Sequence, residues 1–115
     1  MTLTVYGIPN CDTVKKARTW LEGRGLEFSF HDYRKDGVDT GRLAAWCDVL
    51  GWETVLNRSG TTFRKLSEAE RTGLNLASAV ALMVAQPAMI KRPLVEFDGG
   101  LLVGFKPDLW AETLA

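Results

Sequence analysis

A chain of 115 residues and 12.7 kDa holds one domain and leaves no room for a second with its own core. Its 46% hydrophobic and 24% charged residues are globular proportions, which excludes disordered, collagen-like and coiled-coil classes. Lys+Arg and Asp+Glu balance at 14 each, so no long-range field exists to hold nucleic acid or anionic lipid, and neither is expected as a partner.

The chain opens on Met-Thr-Leu-Thr-Val-Tyr-Gly, without the basic and apolar segments of a signal peptide, and no window approaches the ~18 apolar residues of a membrane span. A cytoplasmic location is expected, and there Cys11 and Cys47 stand as separate thiols rather than a disulfide. Thr2 to Tyr6 is a β-branched and aromatic run that reads as a strand closing into a turn at Gly7, Pro9 and Asn10. From Cys11 the period becomes helical through Val14, Ala17, Trp20 and Leu21, with Asn10 as the expected N-cap and Gly23 or Gly25 as the stop. Leu26, Phe28 and Phe30 alternate with Glu27, Ser29 and His31, the period of a half-buried strand.

After a turn around Lys35 to Gly37, Asp39 caps a helix whose stripe is Leu43, Trp46, Cys47 and Leu50, and Gly51 ends it. Trp52 to Lys65 holds no sustained period and reads as a polar loop or short helical turns. Ser67 to Glu70 matches a capping box, and Leu76, Ala79, Val80, Met83, Val84 and Pro87 trace a second stripe that the proline ends. Leu94, Val95 and Phe97 form a strand after Pro93, Asp98-Gly99-Gly100 turns it back into Leu101 to Phe105, and Pro107 to Leu114 is a terminal helix. The order β-α-β, helices, β-β-α suits an α/β fold: one domain over residues 1–115 with a four-stranded mixed sheet and a helical insertion at about 39–88.

Cys11 stands where a strand gives way to a helix, so unpaired helix N–H groups and the positive end of the macrodipole lie beside its sulfur. A thiol of ordinary pKa, about 8.5, is only about 3% ionised at pH 7, and such a position stabilises the thiolate. Lys15 and Lys16 assist and Asp12 opposes; the competing reading is a small apolar residue tucked into a turn. Val14 occupies the position a resolving cysteine would take, so a redox-active Cys11 needs an external thiol. Cys47 lies on an apolar stripe and reads as core. Ala17 stands where a Cys-x5-Arg phosphate loop would need arginine.

Arg92-Pro93 leads into the third strand, near the Cys11 turn in this topology, so Lys91 or Arg92 can bring a cation to the sulfur; standing alone, Arg92 reads as an exposed charge. Asn57, Arg58, Thr61, Thr62, Arg64 and Lys65 supply donors to the irregular segment, either for an anionic substrate or for solvent. With one histidine no His/Cys metal cluster can be built, and no Walker loop, Gly-x-Gly-x-x-Gly or Ser/His/Asp spacing is present; neither metal nor nucleotide is expected.

Tyr6-Gly7-Ile8-Pro9-Asn10-Cys11-Asp12-Thr13-Val14-Lys15-Lys16-Ala17, Asn57-Arg58-Ser59-Gly60-Thr61-Thr62 and Ile90-Lys91-Arg92-Pro93-Leu94-Val95 together resemble the glutaredoxin-coupled arsenate reductase (ArsC) family, in the YffB branch of its Spx/YffB group. The resemblance implies a thioredoxin-like fold, a nucleophile on Cys11 and an anion-stabilising arginine on Arg92. It implies glutathione as co-substrate, glutaredoxin as a possible partner, and a monomer. Asn10, Asn57, Arg58, Lys91, Pro93 and Lys106 are the accompanying candidates for substrate contact. The second arginine of the family's arsenate reductases falls on Asn57, with Arg58 one residue later, and their third has only Lys106 as its nearest cation. That pattern fits a glutathione-dependent thiol reductase with residual arsenate reduction at most. The alternative is an Spx-like module that binds a protein such as RNA polymerase, its cysteine a sensor or incidental; Val14 removes the two-cysteine switch common in those regulators.

Overall fold

In the computed structural model, which describes residues 3–114, the elements run β1 (Thr4–Gly7), α1 (Asp12–Gly23), β2 (Ser29–Asp32), α2 (Tyr33–Asp36), α3 (Thr40–Leu50), α4 (Trp52–Val55), α5 (Thr61–Arg64), α6 (Glu68–Arg71), α7 (Leu76–Ala85), β3 (Leu94–Phe97), β4 (Gly100–Val103) and α8 (Pro107–Leu114). They form two units, one of residues up to Lys35 with those from Arg92, the other of residues 36–91.

In the first unit the strands lie in the order β2-β1-β3-β4, with β1 and β2 parallel and the other pairs antiparallel, a mixed sheet as expected. The β3–β4 hairpin closes by pairing Phe97 with Gly100 around Asp98-Gly99; Gly99, the second central residue, has φ +85°, a conformation that favours glycine. Alternation along β1 sends Val5 to one face and Tyr6 to the other. On the Val5 face, α1 and α8 bury a core of Leu3, Val5, Ala17, Leu21, Val95, Leu102, Trp110 and Leu114. The Trp110 indole N–H donates to the Gly104 carbonyl at 3.1 Å, so the largest side chain of this core is buried without an unsatisfied donor.

The second strand begins at Ser29, not at Leu26. Leu26 and Phe28 still pack half-buried against the core, but from an irregular stretch, and ladder pairing starts where Ser29 lies opposite Thr4. The period-2 pattern had reported which side chains face inward, not where backbone partners exist. Thr2, the expected first residue of β1, lies outside the described residues.

In the second unit Asp39 caps α3 as expected, its Oδ2 accepting the Arg42 N–H at 2.8 Å, and Leu43, Trp46 and Cys47 are buried. The helix ends at Gly51, whose φ of +88° favours glycine. The segment from Trp52 to Lys65 resolves into two short helices, and it is not wholly polar: Val55, Leu56 and Phe63 are buried. Backbone bonds from Asn57 N–H to the Met89 carbonyl (2.7 Å) and from Lys91 N–H to the Val55 carbonyl (2.9 Å) tie it down. The Ser67/Glu70 capping box of α6 is present.

Helix α7 carries two departures. Asn75 caps it reciprocally with Ser78, and Leu76 and Val84, expected on the buried stripe, are 40% and 36% exposed. Because Leu-Ala-Ser-Ala-Val-Ala-Leu-Met-Val-Ala is apolar on nearly every side, its period does not select a face; packing selects Ala79, Val80 and Met83. No helix among the described residues is long and apolar enough to cross a membrane.

Candidate active site

The chain leaves β1 at Gly7 and turns through Ile8-Pro9-Asn10, with the Cys11 N–H donating to the Ile8 carbonyl at 3.1 Å. The Cys11 carbonyl accepts the Lys15 N–H at 2.9 Å, the first bond of α1. Cys11, with extended φ and ψ, is therefore the N-cap itself; Asn10, the expected cap, is exposed one residue earlier. The turn bond to Ile8 starts the helix one residue later than a side-chain cap at Asn10 would.

Burial pushes the half-exposed Cys11 thiol up, but the Val14 N–H, a hydrogen bond from the Arg92 side chain, the Thr13 N–H and the Arg92 charge together hold it below its ordinary value. The amides do not close a full capping hydrogen bond on Sγ; they act as aligned dipoles on a large, polarisable sulfur. Arg92 reaches the thiol because Leu94 pairs with Tyr6, so the residues before Leu94 run alongside Gly7 and Ile8. The Arg92-Pro93 peptide is cis, and the buried Pro93 has its carbonyl held by the Gly104 N–H at 2.8 Å.

Gly7 permits this approach. A Cβ there would stand 2.8 Å from Cγ2 of Val14 and 3.7 Å from Cβ of Arg92, so the glycine lets β1 pass between the helix start and the arginine. In the sequence, Gly7 signals only a turn.

On the sheet face opposite the core, and unforeseen from sequence, lies a polar aromatic cluster. The Tyr6 hydroxyl donates to Glu96, and the Tyr6 ring lies 5.0 Å from His31 and 6.3 Å from Tyr33. Tyr33 is 1% exposed and its hydroxyl has no hydrogen-bond partner among the described residues. Burial, then Tyr6, hold this phenol far above its ordinary range, with Arg92 opposing and Glu96 adding to the rise, so Tyr33 stays neutral within electrostatic reach of Arg92. The signal available in sequence was Tyr6 alternating with Val5, which places a tyrosine on the non-core face.

Cys11, Arg92, Pro93 and Lys106 belong to the first unit; Lys106 is exposed, and its carbonyl accepts the Trp110 N–H at 2.9 Å at the start of α8. Asn57, Arg58 and Lys91 belong to the second. There the Asn57 Oδ1 accepts the Ser59 N–H at 3.2 Å and hydroxyl at 3.0 Å, so the side chain orders its own loop, while Arg58 is exposed and Lys91 half-buried. Cys47 is 4% exposed, and burial followed by the Asp48 charge pushes its thiol up, as a core cysteine should behave.

Several known proteins are similar to this chain. A solved structure described as a YffB protein is 56% identical, covers 98% of this chain and 99% of its own, and superposes with a TM-score of 0.95. An arsenate reductase (ArsC) related protein from Brucella melitensis is 53% identical over 99% of this chain and 95% of its own, with a TM-score of 0.80. An uncharacterized protein of Haemophilus influenzae is 43% identical over 90% of both chains, and the global transcriptional regulator Spx of Enterococcus faecalis is 27% identical over 92% of this chain and 81% of its own. The mixed four-stranded sheet with its helices is the thioredoxin-like fold shared with these relatives. With the match to the ArsC family extending over residues 6–113, the chain belongs to that family.

Proposed function

We propose that this protein is a glutathione-coupled thiol reductase in which Cys11 is the nucleophile. The observation that carries this reading is the place of Cys11, at the N-cap of α1 beside the Arg92 side chain, where amides and guanidinium favour the thiolate, with valine at the resolving position. The Cys11 thiolate attacks a sulfur of an oxidised substrate, forming a mixed disulfide and expelling the substrate's other sulfur as a thiolate. A glutathione thiolate then attacks the substrate sulfur of that disulfide, forming a glutathione–substrate disulfide and releasing Cys11 as thiolate; a second glutathione thiolate attacks the glutathione sulfur of that product, giving glutathione disulfide and the reduced substrate, so two glutathiones supply the two electrons. Arg92 stabilises the anion at each stage, and its planar fork also suits a glutathione carboxylate. Asn10, Arg58, Lys91, Pro93 and Lys106 are candidates for substrate contact; Asn57 acts there through the loop it orders. The protein works as a cytoplasmic monomer, with glutaredoxin as a possible electron donor and arsenate reduced weakly or not at all.

Treatment with glutathione disulfide followed by mass spectrometry is expected to give one adduct, on Cys11 and not on Cys47. Adducts on both cysteines, or on Cys47 alone, overturn the assignment. The likeness to Spx favours a second reading, a regulatory module that binds a protein partner. A Cys11 alkylation midpoint at or above the ordinary thiol value selects that reading instead.

A further inference from the structure

On the sheet face away from the core, one buried polar atom is left over by the reading of the site. Tyr33 is 1% exposed, and its hydroxyl has no hydrogen-bond partner among the described residues. A hydroxyl buried in this way gives up its water without recovering a bond, at a position where phenylalanine has the same shape. The strand register shows what stands near it. Asp32 lies opposite Gly7 in the parallel pair and Leu94 opposite Tyr6 in the antiparallel one, so Tyr33 follows on one flank of the end of β1 while Arg92 runs along the other, both within the first unit. The Tyr33 ring stacks on Tyr6 at 6.3 Å, Tyr6 donates to Glu96, and the charges of Arg92 and Glu96 both act on the Tyr33 oxygen. Arg92 is thus within reach of two sets of groups: the Cys11 sulfur, which its side chain hydrogen-bonds, and the cluster of Tyr33 and Glu96.

We propose that Tyr33 is a positioning residue for Arg92: its hydroxyl accepts an Arg92 N–H when Cys11 enters a mixed disulfide and gives it up when the thiolate returns. The inference rests on the reading of Cys11 as nucleophile and adds what holds the arginine between the two half-reactions. In the reduced protein the thiolate is the anion beside the guanidinium. When that thiolate attacks glutathione disulfide, the S–S bond breaks, a Cys11–glutathione disulfide forms, and the negative charge departs on a glutathione thiolate. The sulfur left on Cys11 is neutral and a weak acceptor, so the bond from Arg92 loses most of its strength. Glu96, held by Tyr6, remains as an anion on this face and draws the guanidinium toward Tyr33, whose oxygen has lone pairs to accept it. Five N–H groups let the same guanidinium keep its fork on a glutathione carboxylate. The handover satisfies the buried hydroxyl and keeps the arginine ordered until the adduct is resolved.

The test equilibrates the protein with glutathione and glutathione disulfide at a series of ratios and reads the fraction of Cys11 adduct by acid-quenched mass spectrometry. Tyr33→Phe keeps the ring and removes the hydroxyl. It relieves the reduced protein of an unsatisfied group and deprives the adduct of a charge-assisted bond, so adduct formation is expected to weaken about three- to tenfold. In an Arg92→Met background the same substitution should change the equilibrium by less than about twofold, because no guanidinium is left to donate. The alkylation midpoint of Cys11 should stay in place or fall, since Arg92 then has no second site. Adduct formation that ignores Tyr33→Phe, or that changes equally in both backgrounds, overturns the proposal. So does a raised midpoint, which would set the hydroxyl to work in the reduced protein instead. Should the variant fail to fold, a crystal structure of the unsubstituted protein's glutathione adduct decides: an Arg92 nitrogen within about 3.2 Å of the Tyr33 oxygen is expected, and a separation beyond hydrogen-bond range overturns the proposal. Absence of any adduct on Cys11 breaks the nucleophile reading and this proposal together, whereas an adduct insensitive to Tyr33 breaks this proposal alone.

Discussion

The two cysteines sit on helices of similar length and face opposite physics. Cys11 is the N-cap of a 12-residue helix, where amides without helical partners and a neighbouring guanidinium outweigh the cost of partial burial. Cys47 lies in the last turns of an 11-residue helix, where every nearby amide is committed to the helical ladder, and burial with the Asp48 charge raises its thiol. One residue type thus becomes a thiol held below its ordinary pKa or a piece of core according to its place along a helix.

The largest effect expected from breaking this contrast is on turnover. Cys11→Ser should lower glutathione-coupled reduction by about a thousandfold or more with little change in stability. Cys47→Ser should leave turnover intact and destabilise the fold by about 1–3 kcal/mol, because it buries a hydroxyl where a thiol packed; steady-state rates and urea unfolding check both. Next in size is Arg92→Met, which should slow turnover roughly ten- to a hundredfold and move the alkylation midpoint of Cys11 upward. Arg92→Lys should recover part of the midpoint and less of the rate, since an ammonium restores charge but not the fork.

The same contrast appears in stability against pH. Because the folded pKa of Cys11 is lowered, its contribution is present above the ordinary thiol value and lost as pH falls through the lowered one. The folded pKa of Cys47 is raised, so its contribution is complete below the ordinary value and lost as pH rises through the raised one. Comparing each Cys→Ser variant with the parent across this range should give slopes of opposite sign.

Smaller still is Gly7→Ala, expected to cost about 1–3 kcal/mol by forcing a methyl group against the buried Val14. A shifted Cys11 midpoint would accompany it if the helix start moves. Asp39→Ala, which removes the cap of α3 far along the sequence from Cys11, should cost about 1 kcal/mol in thermal unfolding and leave that midpoint where it was.

Much of this could be read from residues alone. The strand, turn and helix around Cys11, the Asp39 cap, the Ser67/Glu70 box and the Asp98-Gly99 hairpin are local features, and local chemistry specified them. Sequence was weakest where the pattern was ambiguous. In α7 an all-round apolar helix gave no preferred face, and at Leu26 to Phe28 alternation marked burial without a ladder. The Asn10 cap failed by one residue because the turn bond to Ile8 decides where α1 begins.

By itself, then, the sequence determined the element order, the isolation of a cysteine without a resolving neighbour and the presence of an arginine before a proline, all properties of adjacent residues. Only the tertiary structure decided that Arg92 hydrogen-bonds the Cys11 thiol, that Gly7 must lack a side chain, and that Tyr33 is buried neutral near the same arginine. The physical reason is the sheet: antiparallel pairing of β1 with β3 brings positions some eighty residues apart in sequence side by side, and no periodicity within either segment records that meeting.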